Sequence, residues 1–451
     1  MRIEPKPLIA AESPSLCRSQ LYRKVTLHIM PFVFRAYVVN QIDRTNVSFA
    51  KLQFVTDLGL SEAAYGLGAG MFFVGYLLFE VPSNLILHRI GARKTMVRIM
   101  ILWGLASMAM SLVTTATQLY VVRFLLGLAE AGFFPGMIYY LGLWYPSRRR
   151  GRITSLLVMG IPFAGIVSSP LSGWIMQFLH GAAGLKGWQW LFLIEGAPAV
   201  LLGFAAPWLL ADRPGEASWL TEAEKVIIST ELRDDAAERG RQSSGDMREA
   251  IRDPKVYITG VVYFAVLAGT NALVLWIPTI IREAGLHSLS LATIGVLACI
   301  PWVAAVVGMY LIGLNSDRTM ERRWHVAASL LVTATGYLLL PHFAESLPIV
   351  IASLAMSAVG IYSALAIFWT IPATFLTGSA AAGGIALISS FGAVGGFVSP
   401  SIIGWAKTAT GNADYGLAAI AAVLCLASLL LLAGISETST SRRHPQERHR
   451  S

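Results

Sequence analysis

Two short constellations put ionisable side chains where the sequence is otherwise apolar. The stretch 21–50, LYRKVTLHIMPFVFRAYVVNQIDRTNVSFA, carries the adjacent residues Asp43 and Arg44 well along a segment long enough to cross a bilayer. A second apolar stretch holds Arg123, Gly127 and Glu130 at i, i+4 and i+7, which places all three on one helix face. Charges at membrane depth cost several kcal/mol unless they face a protein interior or a water-filled cavity, so such residues mark pathways. The chemistry available is anion capture and proton exchange. Arginine suits the first because its planar fork meets a carboxylate bidentately and never loses its charge. Carboxyls suit the second, because an incoming anion that engages Arg44 and Arg123 loosens their hold on Asp43 and lets Asp43 or Glu130 take a proton. A plainer alternative is that Asp43 or Glu130 simply neutralises Arg123 as packing glue. Neighbours on a helix point about 100° apart, so Asp43 and Arg44 need not pair with each other.

The elements that position these residues follow from composition. Of 451 residues, 55% are hydrophobic and 14% charged, and the mean hydropathy is +0.61. A soluble chain has about a quarter of its residues charged, so this one belongs in lipid. Twelve candidate spans fall near 27–50, 64–87, 95–115, 118–141, 153–178, 189–210, 255–281, 291–314, 325–343, 347–376, 380–405 and 414–435. The ninth is the weakest, being interrupted by Gly336 and Pro341. The fold class is therefore an all-α integral membrane protein of twelve helices in two six-helix halves. The halves are 27–210 and 255–435, with tails 1–26 and 436–451 and a charged linker 211–254. Within the linker, TEAEKVIISTELR has helical spacing and a Thr221-x-x-Glu224 start, so a short amphipathic helix is expected in a segment that tethers the halves. No secretory signal pattern occurs in 1–24, and three scattered cysteines make no disulfide framework.

The net charge of +9 reports topology. Twenty-eight of the 35 Lys and Arg collect in alternate loops and the two tails, while only Lys51, Lys186, Arg282 and Lys407 occupy the opposite loops. Arg35, Arg44 and Arg123 lie inside spans. The positive-inside rule puts both termini and the linker in the cytoplasm, and the lipid bilayer rather than nucleic acid is the partner of the basic charge.

The halves echo each other: NLILHRIGARK at 84–94 and GLNSDRTMERR at 313–323. The second copy resembles the G-x-x-x-D-R-x-G-R-[RK] signature of the major facilitator superfamily through Gly313, Asp317 and Arg318. In the first, Asn84 and His88 replace the glycine and the acid while Arg89, Gly91, Arg93 and Lys94 remain. DRTNVSFA (43–50), FFVGYLLFEVPSNL (72–85), RFLLGLAEAGFFPG (123–136), GWQWLFLIEGAP (187–198) and FLTGSAAAGGIALISSFGAVGGFVSP (375–400) resemble the anion:cation symporter branch, which includes tartrate, phthalate, sugar-acid and nicotinate permeases.

That resemblance implies proton-coupled uptake of a small organic anion by alternating access, in the inner membrane, by a functional monomer. It implies the proton gradient as the driving force, with no cofactor and no metal. It implies Arg44 and Arg123 as substrate ligands, Asp43 and Glu130 as proton carriers, and Asn271 and Trp369 as cavity contacts on the seventh and tenth spans. The turns at Arg89, Gly91 and Arg93 and at Gly313, Asp317 and Arg318 read as a latch that breaks and remakes contacts with neighbouring helix ends as the halves rock. Arg35 departs from the family, which has an apolar residue there. Ser389 and Ala393 stand where family members commonly have Asn, which tilts the expectation from sugar acids toward smaller or more aromatic carboxylates. Glu80 and Glu195 are expected near span ends, as helix-end contacts. An organic-anion exchanger or a non-transporting sensor of the same fold remains a rival. An enzyme does not, since the sequence has no P-loop, no metal spacing and no nucleophile–base arrangement.

Overall fold

The computed structural model describes residues 14–242, 252–285, 288–376 and 378–435. The expected tail 436–451, residues 1–13 of the other tail and residues 243–251 of the linker lie outside them. Every regular element described is helical. The first half runs α1 (Pro14–Asp57), α2 (Glu62–Ile90), α3 (Ala92–Ala109), α4 (Ala116–Glu130), α5 (Phe133–Gly142), α6 (Ser147–Val158), α7 (Gly160–Phe178) and α8 (Gly187–Leu209). After the linker helix α9 (Glu222–Gln242), the second half runs α10 (Pro254–Ala284), α11 (Leu291–Thr319), α12 (Arg323–His342), α13 (Leu347–Phe368), α14 (Gly378–Thr410) and α15 (Asp414–Gly434).

Among the described residues, eleven helical stretches are long and apolar enough to cross a membrane. With α1, which carries Arg35, Asp43 and Arg44, they make the expected twelve. Side chains such as Leu78, Leu201 and Trp208 are exposed on their outer faces, as lipid contact requires. The packing repeats between halves: α3 against α8 as α12 against α15, and α2 against α4 as α11 against α13. The halves meet through α2 with α14 and α7 with α11.

Three spans are less regular than the sequence suggests. The fourth is broken after Glu130, because Gly132 adopts the left-handed region (φ 86°) and Pro135 has no N–H to return to Ala131. The fifth steps at Met159, where Pro162 cannot bond back to Val158. The tenth ends at Phe368 and passes into a 3-10 turn, Pro372–Thr374. The ninth is an unbroken helix: Gly336 lies against the backbone of α13 near Ser353, and Pro341 sits in the last turn.

At 44 residues α1 is about 66 Å long at 1.5 Å per residue, more than a bilayer core, and its first turns reach α9. That linker helix starts with the expected reciprocal cap, Thr221 N–H to Glu224 Oε2 (2.8 Å) and Glu224 N–H to Thr221 Oγ (3.3 Å). It docks beneath the first half through Lys24–Glu224 (2.7 Å), Tyr22 Oη to Glu231 (3.0 Å), Ser147 to Asp235 (3.0 Å) and the buried Ile228. Trp219 stacks on His28 (4.3 Å) and on Trp144 (5.6 Å). The segment expected as a tether is also a packed element. The side of the molecule carrying α9 is called the linker face below, and the other the far face.

Candidate functional site

The break in the fourth span leaves Glu130 as the last residue of α4, fully buried beside α1 and α2. Irregular backbone at membrane depth is tolerated where it is enclosed in protein or lines a cavity. Gly127, one turn earlier, permits the approach: a Cβ there would lie 1.9 Å from the Phe72 carbonyl oxygen of α2. The close crossing of α2 and α4 carries the Phe72 ring between two guanidinium groups. Arg44 Cζ is 5.2 Å and Arg123 Cζ 5.1 Å from its centroid, and Tyr76 adds a second ring 5.4 Å from Arg44.

The four ionisable residues singled out in the sequence converge. Arg44 Nη2 and Nε both donate to Glu130 Oε1, at 2.5 and 2.6 Å, leaving Glu130 Oε2 without a hydrogen bond. Arg123 is only 3% exposed and makes no ion pair among the described residues. Its Nε lacks a hydrogen-bond partner, although Asp43, Glu130 and Arg44 are all within electrostatic reach. Asp43 Oδ1 accepts from Asn46 Nδ2 (3.0 Å) and from Ser107 Oγ of α3, while Oδ2 accepts nothing. The acid held by an arginine is thus Glu130, and Asp43 is held by neutral donors. The expectation that both arginines hold Asp43 is thereby corrected for Arg44, while Arg123 stays within electrostatic reach of Asp43 without an ion pair to it among the described residues.

Other residues are placed differently from expectation. Glu195 is not at a span end: it lies two turns into α8, 3% exposed, with Oε1 accepting from Ser172 Oγ of α7 at 2.6 Å. Arg35 is exposed on α1. Glu80 is partly buried, within electrostatic reach of Arg44. In the second half, Asn271 turns its amide back to the Leu267 carbonyl (2.8 Å). Trp369, just past α13, packs edge-on against Tyr263 of α10 (4.8 Å), and Tyr263 is itself within electrostatic reach of Arg44 and Glu80.

The latch residues divide. Arg93 holds the end of the sixth span, its N–H on Asp212 Oδ1 (2.8 Å) and its Nη1 on the Leu210 carbonyl (3.3 Å). Gly91 makes the left-handed turn before it (φ 87°). The second half repeats this with Arg323, whose Nη1 reaches the Leu432 and Ile435 carbonyls (3.3 and 2.6 Å) at the end of α15. Asp317 pairs with Arg322 (2.7 Å), while Arg89 and Arg318 are exposed and Gly313 has open space around it. None of these contacts joins one half to the other. The side chain of His88 lies outside the described set.

Sequence reasoning missed a second charge cluster at the far face. Glu62 of α2 pairs with Lys51 of α1 (2.8 Å) and Lys407 of α14 (3.2 Å), and Lys407 also meets Glu283 of α10. Lys51 lies over the buried Trp276 ring, 3.6 Å from its centroid, and Arg282 donates to the Leu52 carbonyl (2.5 Å). Lys51, Arg282 and Lys407 had registered only as outer-loop charges. Asn46 was missed as well; its i+3 spacing from Asp43 is the signal that could have found it.

A chain of this sequence and fold has many relatives. The profile of the Major Facilitator Superfamily matches residues 33–400. The chain is 44% identical over 413 residues to the "Putative metabolite transport protein NicT" of Pseudomonas putida, covering 92% of this chain and 94% of that one. It is also 44% identical over 432 residues to a "Putative tartrate transporter" of Agrobacterium vitis, covering 94% and 95%. Among solved structures, a bacterial homolog of the human lysosomal transporter Spinster in an inward-facing and occupied conformation superposes with a TM-score of 0.72. It is 17% identical and the match covers 91% of this chain and 96% of that one, so it supports the fold alone. The chain is a multi-pass membrane transporter, not an enzyme, and it belongs to the Major Facilitator Superfamily.

Proposed function

We propose that this transporter carries a small organic anion together with a proton, with Arg123 and Arg44 binding the anion and Glu130 and Asp43 serving the proton. One observation carries the reading: among the described residues a buried guanidinium, Arg123, has no ion pair, and its neighbour Arg44 is held by one acid, Glu130. A buried charge normally pairs or coordinates, so Arg123 is the cation that an anionic substrate completes. The substrate's second oxygen reaches Arg44 and competes with Glu130. Glu130, displaced from Arg44, becomes the acid that takes a proton. Charge balance runs the same way, since the two guanidinium groups already have two carboxyls, Asp43 and Glu130, within reach and a substrate anion adds a third. Binding of substrate and proton therefore favour each other, the reciprocity a coupled carrier needs.

The basic loops orient the linker face, with both tails and the linker, toward the cytoplasm of an inner membrane. The inter-half contacts described above lie at the far-face ends, which corresponds to a carrier closed to the outside. Arg44, with its side chain 31% exposed, is then reached from the cytoplasm. The packed halves with their intervening linker suffice as a monomer. Tartrate, by the name of the Agrobacterium relative, is one candidate substrate. The test is accumulation in proteoliposomes with acid outside, using a carboxylic acid selected by thermal shift of the purified protein. Glu130→Gln should lose gradient-driven accumulation while retaining binding, and normal accumulation in that variant would remove Glu130 from the proton path. Loss of every pH-gradient dependence in the unaltered protein would favour exchange.

A further inference from the structure

Glu195, a buried carboxyl of the first half, takes no part in the arginine clamp, yet it shares a polar seam with Asp43. Asp43 and Asn46 come to this seam from α1, Ser107 from α3, Ser168 and Ser172 from α7, and Glu195 from α8. None of them is more than 3% exposed. The crossing of α3 and α8 brings the two acids together: a Cβ on Gly196, next to Glu195, would lie 2.9 Å from Met108, next to Ser107. Ser107 Oγ donates to Asp43 Oδ1, and Ser172 Oγ donates to Glu195 Oε1 (2.6 Å). Thr45 Oγ1 meets Ser168 Oγ (3.1 Å), one turn from Ser172, and so ties α1 to α7 at the same place.

Among these residues three polar atoms have no hydrogen-bond partner, and all three are acceptors: Asp43 Oδ2, Asn46 Oδ1 and Glu195 Oε2. The unpartnered donors Asn40 Nδ2 and Trp103 Nε1 belong one turn nearer the linker face. Among the described residues no cation serves Glu195. Neither α7 nor the 3-10 turn Met110–Leu112 carries a titratable side chain, and those of α3 (Arg93, Lys94 and Arg98) stand toward its linker-face end. The charged group of α1 within electrostatic reach of Glu195 is Asp43, another acid. A buried carboxylate with neither a counter-charge nor a set of N–H donors is costly, and two neighbouring acids resist ionising together. A proton on Glu195 removes both difficulties, because it cancels the charge and turns an unpartnered acceptor into a donor.

We infer that Glu195 keeps a proton throughout the transport cycle and, as a neutral acid, donates from Oε2 into the seam toward Asp43 Oδ2. It is then a positioning residue for Asp43. This rests on the proton-coupled reading above. A hydrogen bond to the ionised form supports that form, so Glu195 acts where the Asp43 proton leaves for the cytoplasm and Arg123 regains a counter-charge. Glu195 itself neither gains nor loses a proton.

The test sets two assays in proteoliposomes side by side, with tartrate as the probe. One is accumulation driven by a pH gradient, and the other is exchange of labelled for unlabelled tartrate, which moves no net proton. Glu195→Gln keeps a donor and an acceptor for Ser172, and should accumulate within about threefold of the unaltered protein, whereas Glu195→Leu should lose accumulation about tenfold and keep exchange, as expected for a hydrogen bond to a charged group. Equal losses in both assays would make Glu195 a packing residue, and full accumulation by Glu195→Leu would overturn its role at Asp43. Tartrate uptake in the unaltered protein that ignores the pH gradient would sink the proton-coupled reading, and that role with it. Infrared spectra of the purified protein decide the proton independently of transport. At neutral pH the unaltered protein should show a neutral-carboxyl stretch that is missing from Glu195→Gln; identical carboxyl bands in the two would show that Glu195 holds no proton.

Discussion

The molecule contains two charge clusters built on opposite plans. At the far face, Lys51, Glu62, Lys407 and Glu283 come from four helices, two in each half, and both lysines there have an acid. In the middle of the first half, Arg44, Arg123, Glu130 and Asp43 come from two helices of one half, Arg123 has no ion pair among the described residues, and aromatic faces do part of the holding. Complete pairing across a boundary closes that boundary, because its separation would strand charges. An arginine stacked on a ring keeps its N–H donors available, because a ring accepts through its face and the fork's edge stays unused. On the function proposed above, the first cluster is the gate and the second the binding site.

The sharpest way to break this contrast is to remove one cation from each. Arg123→Ala should weaken anion binding about a hundredfold, in line with the ~1.5–3 kcal/mol of a hydrogen bond to a charged group. Lys407→Ala should leave that affinity within about twofold, being remote from the site and paired already. Calorimetry on both variants decides it, and equal losses would erase the distinction. The next effect concerns closure. Glu62→Gln takes the shared acid from Lys51 and Lys407, and with Glu62 about a quarter exposed the penalty is discounted from a fully buried pair. The far-face-closed population should fall by about tenfold relative to the open one. Distances between spin labels on the first turn of α2 and the last turn of α14 would report it; an unchanged distance distribution would show that the helix crossings alone close that face.

A smaller effect tests the ring between the arginines. Phe72→Leu keeps the packing volume but removes the π face, which at about 1 kcal/mol implies a loss of about fivefold in anion affinity. Phe72→Tyr should restore most of it, provided the added hydroxyl fits where the 2%-exposed ring now packs. A loss in thermal stability with unchanged affinity would make Phe72 a packing residue only.

The two clusters also differ in how far sequence exposed them. Asp43, Arg44, Arg123 and Glu130 stand out because each interrupts an apolar span, and the price of burial there makes an accidental charge rare. Their pairing was not visible: which acid Arg44 takes depends on α4 ending at Glu130, and on α2 passing within a glycine's width at Gly127. Glu195 was misplaced toward a span end because its partner, Ser172, belongs to another helix. The far-face cluster was almost silent. Lys51, Glu62, Glu283 and Lys407 each sit at the end of a span, where charges are ordinary, and only the meeting of the two halves turns four unremarkable residues into one network. Periodicity and length gave the twelve-helix plan well, whereas the breaks at Gly132 and Met159 depend on backbone geometry that a hydropathy profile smooths over.

The linker helix offers the mildest perturbation, and it tests whether exposed pairing differs in kind from the far-face pairing. Hydrogen bonding from Lys24 holds the Glu224 carboxyl below its ordinary value of 4.5, and the Thr221 cap acts in the same direction. A carboxyl depressed on docking contributes fully above its undocked value and loses that contribution as pH falls through the docked one. Docking of α9 should therefore be flat from neutral pH down to about 5 and weaken only below that. Because the pair is solvent-screened, the change should be modest, about twofold in the rate of protease cleavage within 211–242. Lys24→Ala should show the weakened state already at neutral pH and a flatter acid profile. Cleavage that rises equally with acid in both proteins would assign the docking to Ile228 and the stacked Trp219 instead, leaving the ion pairs of the linker face without the closing role proposed for those of the far face.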